Sequence, residues 1–280
     1  NINNRDVFFI MDEQVVRKIV DKNLKEFASG FQTRYVKDYT DPEGVINLKK
    51  NNIFISELGM EFVYYSALCR SFDSSLGRRL EKIGVDIARS NFITKQNIEG
   101  FILPQQEQHI DYILNLYVKR DKKPVVEDYK SYIISFPKNK DSFLSGQISD
   151  NYLYDKDNDK HLLIELKSGG DLDNKKARAE KTYLLRQYFI LKNKLMLNRE
   201  YNNNIEIYFA TAYNKYGESN PWKQANVKRL FSDEELLIGK DYWNKICKSS
   251  RGFDVVFDQY KKSARHIREG LKNIKNTYFN

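Results

Sequence analysis

The stretch Ser149–Asp173, SDNYLYDKDNDKHLLIELKSGGDLD, decides how this chain is read. Two apolar runs, Asp150–Asp155 and His161–Lys167, flank Lys156, Asp157, Asn158 and Asp159, residues that form turns or stay solvated. The pattern predicts two short antiparallel strands joined by a polar turn. Side chains alternate between the faces of a strand. Leu162, Ile164 and Leu166 therefore share one face, the expected core side, while His161, Leu163, Glu165 and Lys167 share the other. With the turn centred between Asp157 and Asn158, Asp150 lies opposite Glu165, and Cβ atoms of directly opposed residues are about 4.5–5.5 Å apart. Two carboxylates that close repel unless a cation sits between them. Mg2+ meets that need, being a hard cation that takes oxygen ligands from one or two carboxylates and from phosphate. Lys167 then falls beside the metal, where its ammonium can hold or polarise a water or a phosphate oxygen.

On these residues the chain resembles the PD-(D/E)xK nucleases. Asp150 is followed 15 residues later by Glu165-Leu166-Lys167, with Ser149 in the proline place. Two further segments are similar to segments of type II restriction endonucleases, most of all TdeIII-like enzymes that cut GGNCC-type sites. They are Gly169-Gly170-Asp171-Leu172-Asp173-Asn174-Lys175-Lys176 and Ile238-Gly239-Lys240-Asp241-Tyr242-Trp243. The resemblance implies an α/β restriction-endonuclease-like core, a mixed central sheet flanked by helices, with a helical N-terminal region. It implies a Mg2+-dependent type II deoxyribonuclease hydrolysing double-stranded DNA at a short palindromic, GGNCC-like site and leaving 5′-phosphates. Asp150 and Glu165 are then metal ligands, helped by the Leu166 carbonyl, and Lys167 positions or activates the attacking water. In such enzymes a helix before the hairpin often adds an acid. Glu81 is the candidate, with Glu61 behind it; equally, Glu81 is a solvated residue paired with Arg78 or a nearby Lys at helical spacing.

A two-fold target calls for a homodimer with one site per strand. The resemblance also implies a cognate methyltransferase in the same system, not necessarily bound, and a bacterial cytoplasmic location. Two other readings keep the same residues. One is a repair, recombination or junction nuclease without strict sequence specificity, and the other a DNA-binding module without catalysis.

Composition agrees with a polyanionic partner. The chain has 47 Lys plus Arg against 38 Asp plus Glu, a net charge of +9. Hydrophobic residues make up 41% of 280, enough for a sizeable core. The expected layout is a helical region over 1–125 packed on a catalytic core over 126–280, together one compact domain. Cys69 and Cys247 stand alone, without zinc or disulfide spacing. No apolar run is long enough to span a membrane. The opening NINNRDVFFIMDEQ has no signal-peptide pattern and no initiator Met, and is read as trimmed. Asp155-Lys-Asp157-Asn-Asp159 begins like an EF-hand loop, but Lys160 replaces the required Gly and Leu166 the bidentate Glu. There is no GxxxxGK[ST], and the three histidines, His109, His161 and His266, are scattered; His161 is expected at the rim of the site.

Along the chain, helices are expected over Asp12–Phe31, Ser56–Cys69 with Ser56 as cap, and from Ser74 or Ser75 to Ser90. Ile98–Lys119 is ambiguous, ending in helix near Arg120, and Lys119–Pro124 reads as a solvated charged turn. Tyr129–Phe136 reads as a first core strand. Asp171 or Asp173 caps a helix over Asn174–Leu197, and Ile205–Ala212 is a central strand, which together make a βαβ crossover. Lys175, Lys176, Arg178 and Lys181 near that helix start are either phosphate ligands or a solvated face. In the loop Tyr213–Asn226, Trp222 and Tyr216 with Lys223 and Gln224 either contact DNA or pack beneath the loop. Glu234–Ile246 and Val255–Ile274 read as helices.

Overall fold

The computed structural model describes residues 11–133, 144–198 and 204–279, with the side chains at 96, 97, 99 and 144–151 outside that description. The chain divides into two compact units, one of residues up to Ile87 together with those from Ser249 onward, the other Ala88–Lys248. These boundaries do not coincide with the expected division at 125/126. Two packing relationships set them: the last helix folds back on the first, and the strand and helix after residue 92 join the sheet unit.

The first unit is helical. It contains α1 (Glu13–Asp38), α2 (Val45–Lys50), α3 (Ile53–Ser56), all but the end of α4 (Met60–Asn91), and α10 (Gly252–Phe279). Asp12 caps α1 by accepting from Gln14 N and Val15 N. Ser263 Oγ of α10 donates to Asp21 Oδ1 of α1 at 2.7 Å. The two helices expected between Ser56 and Ser90 are one, α4. Ser56 ends α3 instead of starting a helix. Ser74 and Ser75 lie inside α4, where their hydroxyls accept from Arg78, so no orphan amide is left for them to cap.

The second unit is a five-stranded mixed sheet flanked by helices, the expected α/β class. Its strands are β1 (Ile93–Ile102), β2 (Leu144–Asp155), β3 (Lys160–Lys167), β4 (Ile205–Thr211) and β5 (Leu236–Ile238), lying in that order. β1, β2 and β3 pair antiparallel; β3, β4 and β5 pair parallel. The helices are α5 (Pro104–Lys119), α6 (Glu127–Lys130), α7 (Asn174–Leu197), α8 (Ala225–Lys228) and α9 (Lys240–Ile246). The crossover from β3 to β4 runs through α7 with the expected boundaries, and Asp173 caps it by accepting from Lys176 N at 2.8 Å. Leu184, Tyr188 and Leu191 of α7 pack with Leu163 of β3 and Ile207 and Phe209 of β4. Burying each such aliphatic side chain stabilises the fold by about 1.5–3 kcal/mol.

Three expectations need correction. β3 is buried on both faces, so the Leu163 and Glu165 face is itself a core face, covered by α7. β1 is a strand where the sequence was ambiguous; its register shifts twice against β2, which breaks the period-two signal. Glu234–Ile246 is a 3-10 turn at Asp233–Glu235, then β5, then α9, the helix interrupted at Gly239 with φ +52. Of the strand expected over Tyr129–Phe136, Tyr129 and Lys130 belong to α6, and 134–136 lie outside the described residues. No helix among the described residues is long and apolar enough to cross a membrane.

Candidate active site

The hairpin adopts the expected register, with Tyr152 opposite Leu163, Leu153 opposite Leu162, Tyr154 opposite His161 and Asp155 opposite Lys160. Its turn is built by local polar bonds. Asp155 accepts from Asp157 N at 3.2 Å and from Asn158 Nδ2 at 2.9 Å, and Asp159 takes a positive φ of 46°. Lys248, two residues beyond α9, places its ammonium 2.7 Å from Asp155 Oδ1 and 3.1 Å from Asp157 Oδ2. Burial would raise the Asp155 pKa, but the Lys248 ammonium and the Asn158 amide overcome it and hold the carboxyl below its usual range.

Asp150 lies on β2 where the pairing to β1 passes from Lys95 opposite Tyr152 to Asn97 opposite Ile148. β2 therefore carries extra residues at this point, a bulge that contains Asp150. Bulges re-aim side chains and are over-represented beside active sites. The Asp150 side chain, and so its approach to Glu165, lies outside the described residues.

At the end of β3 three side chains meet. Glu165 is 3% exposed. Lys167 Nζ lies 2.6 Å from Glu165 Oε1 and 3.0 Å from Glu180 Oε1 of α7. Burial pulls the Lys167 pKa down, yet the two carboxylates prevail and raise it well above the ordinary lysine value. Lys167 is thus a fixed ammonium. Glu180 went unnoticed in the sequence, although its spacing carried a signal. It lies three residues after Ala177 and four before Leu184, both buried on α7, which places it beside the helix stripe that faces the sheet.

This cluster sits at the carboxyl ends of parallel strands, where ligands bind in open α/β sheets. The turn after Lys167 is tightly enclosed. A Cβ on Gly169 would lie 2.6 Å from the Tyr213 hydroxyl, and one on Gly170, whose φ is +66°, 2.5 Å from Thr211 Cγ2. Gly239 N bonds the Thr211 carbonyl at 3.0 Å, and Trp243 Nε1 donates to the Ala212 carbonyl at 2.8 Å. The segments Gly169–Lys176 and Ile238–Trp243 therefore close on the same end of β4.

The other expected site residues separate. Lys175, Lys176 and Lys223 are exposed. Arg178 is half-buried, 3.5 Å from Asp111. Lys181 is not available to a phosphate: it is 1% exposed and paired with Glu235, over the rings of Tyr129 and Phe231. Trp222 is buried beneath its loop, next to Phe209. His161 is buried rather than at a rim, bonding the Tyr152 hydroxyl through Nδ1 at 2.7 Å. Glu61 and Glu81 both lie on α4 in the first unit.

No group of three or more His, Cys, Asp or Glu among the described residues is arranged to hold a metal ion. Two carboxylates, Glu165 and Glu180, nevertheless converge on one positive charge. Anionic oxygens gathered around a cation are the donor chemistry a hard divalent ion takes, and Asp150 stands on β2, the strand paired with β3. A family model described as type II restriction endonuclease, HinfI, matches residues 13–264. No curated protein matches the chain.

Proposed function

The chain belongs to the HinfI family of type II restriction endonucleases, and we propose that it is a Mg2+-dependent enzyme that cuts both strands of DNA at a short palindromic site. The observation that carries this reading is the contact of Lys167 with Glu165 at the end of β3, in the ExK order of a nuclease hairpin. Asp150, Glu165 and the Leu166 carbonyl are the residues to hold the metal. Bound there, a divalent ion would lower the pKa of a water and stabilise charge on the scissile phosphate and leaving oxygen. Lys167 holds the attacking water or a phosphate oxygen with its ammonium, and Glu165 and Glu180 set the direction in which that ammonium points. Lys175, Lys176 and Lys223 offer exposed cations to the phosphate backbone.

A two-fold site calls for a homodimer with one such centre per strand. The finer reading of a GGNCC-like site rests on the segments Gly169–Lys176 and Ile238–Trp243. A methyltransferase protecting the same site would complete the system.

The test is plasmid DNA incubated with the protein and Mg2+, followed by sequencing of the ends. Ends at one short site, with 5′-phosphates, support the proposal and read out the site directly. Ends at random positions would make the protein a non-specific nuclease of the same fold. Salt-sensitive binding without cutting would make it a DNA-binding module. Glu165→Ala and Lys167→Ala are each expected to slow cutting by roughly 100-fold or more while duplex binding in Ca2+ survives.

A further inference from the structure

The charged turn after α5, which the sequence gives no role beyond solvation, forms one wall of a cleft of about 710 Å3. Arg120, Lys122 and Lys123 line it from that turn; Lys223, Lys228 and Arg229 line it from the segment before β5. Against these six cations the lining has a single carboxylate, Asp233, 3.6 Å from Lys228 and itself highly exposed. Such an exposed pair neutralises little. Lys122 is paired with Asp128, but no ion pair is found for Arg120, Lys123 or Lys223 among the described residues. Tyr117 and Phe231 lie at its floor, each only 1% exposed. Six like charges brought together from two distant segments repel one another, and a polyanion is what relieves that repulsion.

The position of the cleft identifies the polyanion. Arg229 Nη1 lies 3.3 Å from Asn174 Oδ1, at the first residue of α7, and Asn226 Nδ2 donates to the Leu172 carbonyl at 3.0 Å. The wall of the cleft is therefore tied to the turn that follows Lys167. The exposed Lys175 and Lys176 at the start of α7 continue the positive surface toward the carboxylate cluster. Resting on the nuclease reading above, we propose that this cleft holds the sugar-phosphate backbone of the substrate DNA beyond the cut, without regard to sequence. Its lysines end in flexible ammonium groups suited to phosphate oxygens, which position a duplex without reading its bases.

The experiment is a salt titration of duplex binding in Ca2+, with wild type and the variant Lys123→Gln/Lys223→Gln/Lys228→Gln. Each phosphate contact contributes about −0.9 to the slope of log K against log salt. The triple variant is expected to flatten the slope by roughly two to three units, equally on duplexes with and without the cleavage site, whereas the Lys→Arg triple keeps the wild-type slope. Should the glutamine triple not fold, Lys123→Gln alone reads the effect at about 0.9. A wild type that binds and cuts, with a variant of unchanged slope, overturns this proposal and leaves the nuclease reading standing. A loss confined to the site-bearing duplex also overturns it, making the cleft a base reader. A wild type that binds no duplex overturns both.

Discussion

Lys167 Nζ lies 3.0 Å from Glu180 Oε1, although one residue ends β3 and the other sits in the second turn of α7. The helix that crosses from β3 to β4 thus reaches back to hold the lysine of the hairpin. With Glu165 on the other side at 2.6 Å, the ammonium is held from two directions.

Glu180→Gln keeps the shape and removes one of those two charges. Under the nuclease reading, cleavage is expected to slow by roughly 10–100-fold, the size of effect seen when an outer partner orienting a metal-site group is lost. Duplex binding in Ca2+ should be retained, and stability should change by less than about 1 kcal/mol, since the pair is partly exposed. Single-turnover cutting rates decide it: an unchanged rate would reduce Glu180 to a surface brace.

Lys181 carries the opposite expectation. Burial drives its pKa down, against the opposing pull of the paired Glu235 and of Asp128. Lys181→Met leaves the Glu235 carboxylate buried without its partner, which should destabilise the protein by about 3–5 kcal/mol in urea unfolding. The salt slope of DNA binding should stay at the wild-type value. A flatter slope in a variant of normal stability would return Lys181 to the DNA surface.

Acid should weaken the hairpin. The Asp155 pKa is lowered in the folded protein, chiefly by Lys248. A carboxylate shifted down contributes stability above its unfolded pKa, about 3.9, and that contribution is lost as pH falls through the folded value. Wild type should therefore lose stability between pH 5 and 2. Asp155→Asn should start about 1–3 kcal/mol lower at pH 7 and lose less over the same range. Urea midpoints at several pH values test this, and parallel curves would show that the Asp155–Lys248 pair carries no pH dependence.

The basic residues opening α7 should differ among themselves. Lys175 and Lys176 are exposed, Lys176 with a loose surface contact to Asp173 at 3.8 Å, whereas the half-buried Arg178 faces Asp111 at 3.5 Å. Lys175→Gln/Lys176→Gln is expected to flatten the salt slope of binding by about two units. Arg178→Gln should flatten it by less than one. The reverse order, measured in the same titration, would assign Arg178 to the phosphates and the two lysines to solvent.

The hairpin, the start of α7 and β4 were legible in the sequence because their causes lie within a few residues. Asp157 and Asn158 centre the turn and thereby set the register. Asp173 caps the helix that begins at Asn174. β1 and β5 were not legible in this way: bulges interrupt the alternation of one, and the other has only three residues, which read as part of a helix. The site divides along the same line. Glu165 and Lys167 announce themselves by sharing a strand face, but Glu180 matters only because α7 folds back over β3. Lys175, Arg178 and Lys181 are nearly equivalent as letters on one helix. The tertiary structure separates them by bringing Asp111 to one, Glu235 to another and solvent to the third. The position of a charge along a helix is local, but the free energy of leaving water depends on which partner a distant part of the chain supplies.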